Sequence, residues 1–468
     1  MTATVDTAIG PAPAAYGWKR VAFAGGWLVT LAAFVVAAAR LAATPPALSS
    51  DDALFFVHAL TRFSVLDFSP QFPGYPGFVA MGRLLLPIVG DPLHALALLT
   101  GLVALAVPPM AALVVWRASA NGGAALAAFA LTLAGPLMPD LAFSLLSDGS
   151  GILLLLVFLT LLPRAGNAPS GLTAFIAGMA LAWAAACRPS DAALFAGAFA
   201  GAIIATPRLA GRALLGAAIV LVPVALVLLA LEGPLYFQEG LRFVSGHALL
   251  WGNTPFAAAG QNDGWPGALA SLPFGWAIVP FILAGVLVAI VRGPARSPAL
   301  SAAVGAFLTH AVWIAVFQNP DHLRHLAPLA ILGGIALVLV AAEEPLRRWS
   351  AAGVALLLAA EIGALASSDT LQATDRPPPL AAAEAWLSAE PSGTAVATND
   401  GVAVLRASLP QARVYDGHYP ADADLGLATA EGPAFRLTGT RSADRMPVAT
   451  FPGRFPGERT LTLYRVKL

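Results

Sequence analysis

The stretch SSDDALFFVHALTRFSVLDFSPQFPGYPGF occupies residues 49–78 and follows the first long apolar run of the chain. Two adjacent carboxylates, Asp51 and Asp52, open a predicted helix within it. On one interpretation, Ser50 caps this helix and the two acids complement its dipole. A cap rarely needs two acids beside a long apolar run, however, so the pair also predicts a functional site.

The composition indicates an integral membrane protein. Of 468 residues, 58% are hydrophobic and 11% are charged, and the mean hydropathy is +0.76. Soluble domains carry about 25% charged residues, so the sequence predicts an all-α polytopic membrane protein. The formal net charge is zero, which gives no electrostatic reason to expect a nucleic-acid partner. The single cysteine, Cys187, excludes an internal disulfide.

About eleven segments have the composition of transmembrane helices, each of which needs about 20 apolar residues to cross a bilayer. They lie near residues 20–42, 92–116, 123–137, 148–162, 171–187, 190–206, 213–232, 270–291, 299–317, 323–342 and 350–366.

Basic residues set the predicted orientation, because loops on the cytoplasmic side carry an excess of lysine and arginine. With the N-terminus in the cytoplasm, every inner loop holds at least one basic residue. Arg40, Arg62 and Arg83 fall on the outer side and need a separate explanation. The inner residues are Lys19, Arg20, Arg117, Arg164, Arg208, Arg212, Arg292, Arg296, Arg347 and Arg348.

This orientation divides the chain into three predicted parts. Residues 1–18 form a cytoplasmic tail, and residues 19–369 form the transmembrane domain, with outer loops at 43–91 and 233–269. Residues 370–468 form a periplasmic domain. The predicted location is the bacterial inner membrane.

The predicted outer domain differs in character from the rest of the chain. The sequence TDRPPPL (374–380) resembles a linker, and charge density rises beyond it. TAVATNDGVAVL (394–405) and RTLTLYRV (459–466) have the alternation or β-branched content of short strands, whereas LAAAEAWLSAE (380–390) is typical of a helix. We therefore predict a small soluble α/β domain.

Ionisable residues beside the membrane gather on the predicted outer side. Such residues are costly at membrane depth and are functional candidates by default. A transporter more often places them near the midplane of the bilayer. The outer residues are Asp51, Asp52, His58, Arg62, Asp148, Arg188, Asp191, His247, Asp321, His322, Arg324 and His325.

The helix that begins at Asp51 is predicted to lie in the membrane interface. Asp51, Phe55, His58 and Arg62 share one helical face, and Asp52 begins a more apolar stripe. A carboxylate at this place can act as a general base, since a neighbouring carboxylate and partial burial both raise its pKa toward neutrality.

Further stretches follow the acidic pair in a recognisable order. They are FPGYPGFVAMGRLL (72–85), GDPLHALALLTGLVALAVPPMAALVVWR (90–117), SLLSDGSGILLLLVFLTLL (144–162), GMALAWAAACRPSDAALF (178–195) and NPDHLRHLAPLAILGGIALV (319–338). In this order, residues 20–345 resemble the integral-membrane glycosyltransferases of the GT-C superfamily, in particular bacterial enzymes similar to glycosyltransferase family 39.

The resemblance implies a reaction and a catalytic residue. Enzymes of this kind transfer a sugar from a polyprenyl-phosphate-linked donor on the periplasmic or lumenal side, here to a lipid, glycan or protein acceptor without a cofactor. The first acid of the family's pair is usually catalytic, which maps to Asp51. The second position holds Asp52 where the family has Glu, so the choice between the two acids stays open.

Basic residues are candidates for holding the donor phosphate, because arginine matches phosphate oxygens in bidentate fashion. The candidates are Arg324 and Arg188, with His322 and His325 beside the first. The alternative is that both arginines snorkel to the interface. The spacing of Asp321, His322 and His325 is compatible with a metal ion, but no fourth ligand is evident, so no metal site is predicted.

A third set of side chains is suited to sugar or headgroup contact. Trp251 fits an interfacial aromatic belt equally well, and PGYP at 73–76 fits a simple turn. The candidates for substrate binding are His58, Arg62, Tyr75, His247, Trp251 and Asn253.

Two other functions are compatible with the sequence. A secondary transporter or flippase of a lipid-linked or polar small molecule would show matched half-repeats and midplane charges, and neither is found. A related membrane transferase of another phosphate-linked group, or a protein of this type that has lost activity, is the third alternative. The intact acids at 51 and 52 argue against lost activity.

Overall fold

The computed structural model describes most of the chain, and most of the described residues are helical. The described residues are 14–250 except 165 and 168, 264–270, 297–342 except 321, 376–439, 447–455 and 458–466, together with 283, 286, 287, 290 and 291.

Fourteen helices are described before residue 343. They are α1 (Ala14–Ala43), α2 (Asp51–Thr61), α3 (Pro76–Val89), α4 (Pro92–Ser119), α5 (Gly122–Leu133), α6 (Met138–Phe143), α7 (Asp148–Leu161), α8 (Gly171–Cys187), α9 (Ala192–Ala205), α10 (Ala210–Glu232), α11 (Leu235–Leu250), α12 (Gly264–Ala270), α13 (Pro298–Phe317) and α14 (Ala327–Ala341).

Five of the described helices are long and apolar enough to cross a membrane. The helices α8 and α9 form a pair bent by 117°, which gives a sixth span if the pair is counted as one. These helices support the predicted multi-pass membrane protein. The predicted number of about eleven spans is not confirmed, and the segment 350–366 and most of 270–291 lie outside the described residues.

Small residues allow two of these helices to approach closely. A methyl group added to Gly201 of α9 would overlap the backbone carbonyl of Ser301 in α13, and one added to Gly197 would overlap that of Gly305. Close approach of this kind is typical of membrane helices, because dispersion contacts replace the hydrophobic effect between them. The α9–α13 pair therefore depends on glycine at these positions.

One end of the helical bundle, called the polar end below, brings distant segments together. There Asp52 of α2 pairs with Arg324, which lies in a 3₁₀ turn just before α14. The carboxylate of Glu232, at the end of α10, accepts hydrogen bonds from the backbone N–H groups of Val65 and Leu66. These contacts place the loop after α2 and the ends of α10 and α14 at the same end.

Residues 376–466, called the C-terminal unit below, contain a mixed five-stranded sheet in the order β2-β1-β3-β5-β4. Strand β1 pairs in parallel with β2 and with β3, whereas β5 pairs antiparallel with β3 and with β4. The strands are β1 (Ala395–Thr398), β2 (Arg413–Asp416), β3 (Ala434–Thr438), β4 (Pro447–Phe451) and β5 (Leu461–Arg465), and the helices are α15 (Pro379–Ser388), α16 (Val402–Ser408) and α17 (Pro420–Ala428).

The α/β character of this unit was predicted, but one predicted strand is wrong in its second half. The stretch 394–405 forms β1 only as far as Thr398, and α16 begins at Val402. Gly401 precedes this helix with a φ of 70°, a left-handed conformation that glycine adopts at little cost. The alternating pattern of GVAVL therefore marks one buried side of a short helix, with Val402, Val404 and Leu405 buried.

We expect Gly201→Ala to lower the free energy of unfolding by about 1–3 kcal/mol, because the new methyl group must displace the α13 backbone. Gly211→Ala is the matched control, since nothing lies within 4 Å of a Cβ atom placed there. Thermal unfolding in detergent measures both variants. Equal melting temperatures would contradict the close packing of α9 on α13.

Candidate functional site

The helix that carries the acidic pair is held on the membrane domain through its apolar face. Ala53, Phe56, Ala59 and Leu60 are buried in a cluster with residues of α3 and α4. The hydroxyl of Ser50 accepts a hydrogen bond from the N–H of Ala53 at 3.3 Å, so the predicted N-cap is present.

The other end of α2 explains one of the outer arginines. Arg83 of α3 donates hydrogen bonds to the carbonyl oxygens of Ala59 and Leu60, at 2.8 and 3.1 Å. These are among the last carbonyl groups of α2, which have no partner within the helix. Arg83 therefore holds α2 in place and does not contradict the predicted orientation.

Asp52 and Arg324 form an ion pair that opens toward solvent. Nη2 of Arg324 lies 3.1 Å from Oδ2 of Asp52. The Arg324 side chain is 14% exposed and that of Asp52 is 37% exposed, so the guanidinium is largely buried and the carboxylate is accessible to solvent. Nε of Arg324 is buried and has no hydrogen-bond partner among the described residues. The guanidinium thus keeps an unused donor beside the one that Asp52 occupies.

Asp140 is a further acid near this pair, and the sequence analysis missed it. It lies in the short helix α6, between α5 and α7, and keeps part of its surface accessible. Burial raises the pKa of its carboxyl to about 7, and the nearby Arg324 guanidinium only partly opposes this rise. Its neighbours in sequence are apolar, so nothing local marked it as part of a polar site.

Arg188 is enclosed in the protein and its charge is already matched. It lies at the break between α8 and α9, where its side chain is 6% exposed and pairs with Asp148 at 2.9 Å and Asp191 at 3.7 Å. It also donates a hydrogen bond to the hydroxyl of Ser147. This burial contradicts snorkelling, and the two carboxylates leave the guanidinium little capacity for a donor phosphate.

Tyr75 belongs to the same enclosed cluster. Its ring lies 5.8 Å from the Arg188 guanidinium and meets Phe56 edge-on, at 5.1 Å between ring centroids. The side chain is 7% exposed. Tyr75 therefore supports the site from within, and its candidacy for direct substrate contact stays a prediction.

Asp51 points away from Arg324 and toward the C-terminal unit. Its Oδ1 accepts hydrogen bonds from the backbone N–H groups of Ala403 at 2.8 Å and Val404 at 3.0 Å, in the first turn of α16. Burial raises the pKa of this carboxyl, although the N–H groups of α16 act in the opposite direction. The two adjacent acids therefore have different surroundings.

His58 and Arg62 make no contact with Asp52 or Arg324 among the described hydrogen bonds and ion pairs, and their candidacy for substrate binding stays a prediction. His58 is exposed, and the exposed side chain of Arg62 pairs with Asp67 at 2.6 Å. His322 and His325, the two histidines of the predicted phosphate-binding set, flank Arg324 in the sequence. Their ring centroids lie 6.2 Å from each other. His325 is buried, and its carbonyl oxygen lies 3.1 Å from Nε2 of His310.

Several candidates cannot be placed by their side chains. The backbone of His247 lies in α11, whereas Trp251, Asn253 and Asp321 lie outside the described residues. Within the part of the chain that the structure describes, no group of three or more His, Cys, Asp or Glu residues could hold a metal ion.

The C-terminal unit reaches the site at a second place that sequence reasoning missed. The ring of Phe455 stacks on that of Phe143 in α6, with centroids 6.0 Å apart, and Cζ of Arg454 lies 5.7 Å from the Phe143 ring. Arg454 is 4% exposed and forms an ion pair with Glu458 at 2.7 Å. These residues border the helix that carries Asp140.

Comparison with known proteins shows likeness in structure only. No protein-family model and no curated protein matches the chain. Among solved structures, it is similar to ArnT from Cupriavidus metallidurans bound to undecaprenyl phosphate, with a TM-score of 0.47 and 16% identity over 96% of this chain and 98% of that chain. For ArnT in the apo state, the TM-score is 0.48 and the identity is 15%, over 97% of this chain and 98% of that chain.

The oligosaccharyltransferase of Archaeoglobus fulgidus, tethered with an acceptor peptide, has a TM-score of 0.46 and 14% identity over 87% of this chain and 68% of that chain. With every TM-score below 0.5, we take the roles of individual residues from the geometry of this chain alone.

We expect Arg188→Met and Arg324→Met to differ in stability. Removing Arg188 leaves Asp148 as an uncompensated buried charge, which should lower the free energy of unfolding by about 3–5 kcal/mol. The Asp52–Arg324 pair is more exposed, and its loss should cost about 1 kcal/mol or less. Membrane yield and thermal unfolding in detergent measure both variants. A more stable Arg188→Met than Arg324→Met would contradict the assignment.

Proposed function

We propose that the protein is a glycosyltransferase that moves a sugar from a polyprenyl-phosphate-linked donor to an acceptor at the outer face of the membrane. The observation that carries this proposal is the Asp52–Arg324 pair, which lies at the polar end of the bundle, partly open to solvent. A carboxylate beside an arginine supplies a base for the acceptor and a cation for the phosphate.

The donor phosphate is suited to Arg324. Nη2 of this residue is bound to Asp52, and Nε has no partner among the described residues. A phosphate that displaces Asp52 accepts hydrogen bonds from both nitrogens, which is the planar bidentate arrangement that arginine offers. Binding of the donor also releases the Asp52 carboxylate for the acceptor.

An apolar groove beside Arg324 is suited to the lipid part of the donor. Its walls come from α5, from α6 on either side of Asp140, and from the first two turns of α14. Its lining residue Ala327 is three positions after Arg324 in the chain, and the groove follows α14 as far as Gly334. Six of its lining residues are Ala128, Leu131, Met138, Leu141, Ala327 and Gly334.

Asp52 takes the role of general base in this proposal. It removes the proton from the acceptor's hydroxyl or amine as that group attacks the anomeric carbon of the sugar. The bond between this carbon and the phosphate oxygen breaks, and the electron pair leaves with the polyprenyl phosphate. Arg324 stabilises the charge of the phosphate throughout.

The location in the cell is also a proposal. Arginines of the predicted inner loops favour a cytoplasmic N-terminus, which puts the polar end and the C-terminal unit on the periplasmic side of a bacterial inner membrane. The C-terminal unit contacts α2 through Asp51, which adjoins Asp52, and contacts α6 through Phe143, so an acceptor that reaches Asp52 comes near this unit.

We expect Asp52→Asn to lower kcat about 100-fold or more, because asparagine cannot accept a proton from the acceptor. The assay follows transfer of labelled sugar from a polyprenyl-phosphate donor by protein in detergent or liposomes. Membrane yield and melting temperature should stay near those of the wild type, since Asp52 is partly exposed. Turnover by Asp52→Asn within threefold of the wild type would remove Asp52 from this role.

We expect Gly334→Leu to raise the KM of the long-chain donor about tenfold by filling the groove, which corresponds to about 1.4 kcal/mol. A Cβ atom at Gly334 has nothing within 4 Å, so Gly334→Ala is the matched control and should leave the KM within twofold. The same variants are assayed with a short-chain donor that carries the same sugar phosphate. An equal rise in KM for short and long donors would contradict lipid binding in the groove.

A further inference from the structure

The helix α2 lies between two hydrophobic cores. Its buried face contributes Ala53, Phe56 and Leu60 to the core shared with α3 and α4. Leu54 points the other way and belongs to the core of the C-terminal unit, together with Val402 and Leu405 of α16. The position of α2 therefore depends on its packing against both the membrane domain and the C-terminal unit.

Asp51 lies on the same side of α2 as Leu54 and supplies the N-terminal cap that α16 lacks. The residue before α16 is Gly401, which has no side chain with which to cap the helix. The Asp51 carboxylate accepts the hydrogen bonds of Ala403 and Val404 in its place, at 2.8 and 3.0 Å. A residue 352 positions earlier in the chain thus caps α16.

The neighbouring acid is affected by this contact. Successive residues of a helix point about 100° apart, so Asp51 faces α16 while Asp52 faces Arg324. A shift or rotation of α2 that loosens the first contact also changes the distance between Asp52 and Arg324.

We propose that Asp51 is a positioning residue, which attaches the C-terminal unit to α2 and thereby holds Asp52 at Arg324. The proposal goes beyond the proposed function and rests on it for the activity readout. It assigns the first acid of the pair a role that depends on accepting hydrogen bonds, and not on accepting a proton from substrate.

The experiment compares Asp51→Asn with Asp51→Ala. Asparagine keeps an oxygen that accepts from the N–H groups of α16, so kcat should stay within threefold of the wild type. Alanine removes the acceptor, and kcat should fall about tenfold or more. The pH profile of kcat should keep its shape in both variants, because Asp52 remains the base.

A second readout does not depend on activity. Hydrogen exchange at the amides of Ala403 and Val404 should become at least tenfold faster in Asp51→Ala and stay near the wild-type rate in Asp51→Asn. The matched control is Asp91→Ala, which removes an exposed cap of the same kind from α4, where Asp91 accepts the N–H of His94 at 2.8 Å. This control should change neither kcat nor exchange in α16.

Two results would overturn the proposal. Asp51→Asn as inactive as Asp52→Asn would show that Asp51 itself must ionise, and unchanged exchange in Asp51→Ala would show that the contact does not hold α16. If Asp51→Ala does not accumulate, Asp51→Asn decides alone by its kcat and exchange. A wild-type protein without transfer activity refutes the proposed function, whereas the exchange readout still tests the contact.

Discussion

The buried ion pair between Arg188 and Asp148 is the interaction on which the polar end depends. A guanidinium at 6% exposure in an apolar bundle is tolerated only with carboxylates around it, and Asp148 and Asp191 supply them. The pair ties the break between α8 and α9 to the start of α7, and Tyr75 rests against the same guanidinium. Arg188 is consequently matched by carboxylates inside the protein, whereas the Arg324–Asp52 pair is partly open to solvent.

The short helix α2 contacts both the membrane domain and the C-terminal unit. The apolar face of α2 is anchored on α3 and α4, and Arg83 binds the carbonyl groups at its end. Its first turn then presents one carboxylate to Arg324 and the other to α16. The acidic pair combines a carboxylate that is partly open to solvent with a carboxylate that accepts hydrogen bonds from backbone N–H groups.

The C-terminal unit packs against the two helices that carry Asp51 and Asp140. It touches the membrane domain at α2 through Asp51 and at α6 through Phe143, where Arg454 and Phe455 pack. Asp140 lies in α6 and is close enough to Arg324 and Arg454 to feel both charges, and burial raises the pKa of its carboxyl to about 7. The ion pair itself stays partly open to solvent, with the Asp52 side chain 37% exposed.

The sequence by itself determined the membrane class, most of the helix bounds before residue 343 and the cap at Ser50. These features follow from hydropathy, turn residues and caps, which act over a few neighbouring positions. It also placed Arg324 and the acidic pair in one candidate site. Only the tertiary structure decided that Asp52 faces Arg324 while Asp51 caps α16, that Arg188 is already paired, and that Asp140 lies near Arg324. The physical reason is distance along the chain: the partners of Asp52 and Asp51 are 272 and 352 residues away, and no local pattern encodes such contacts.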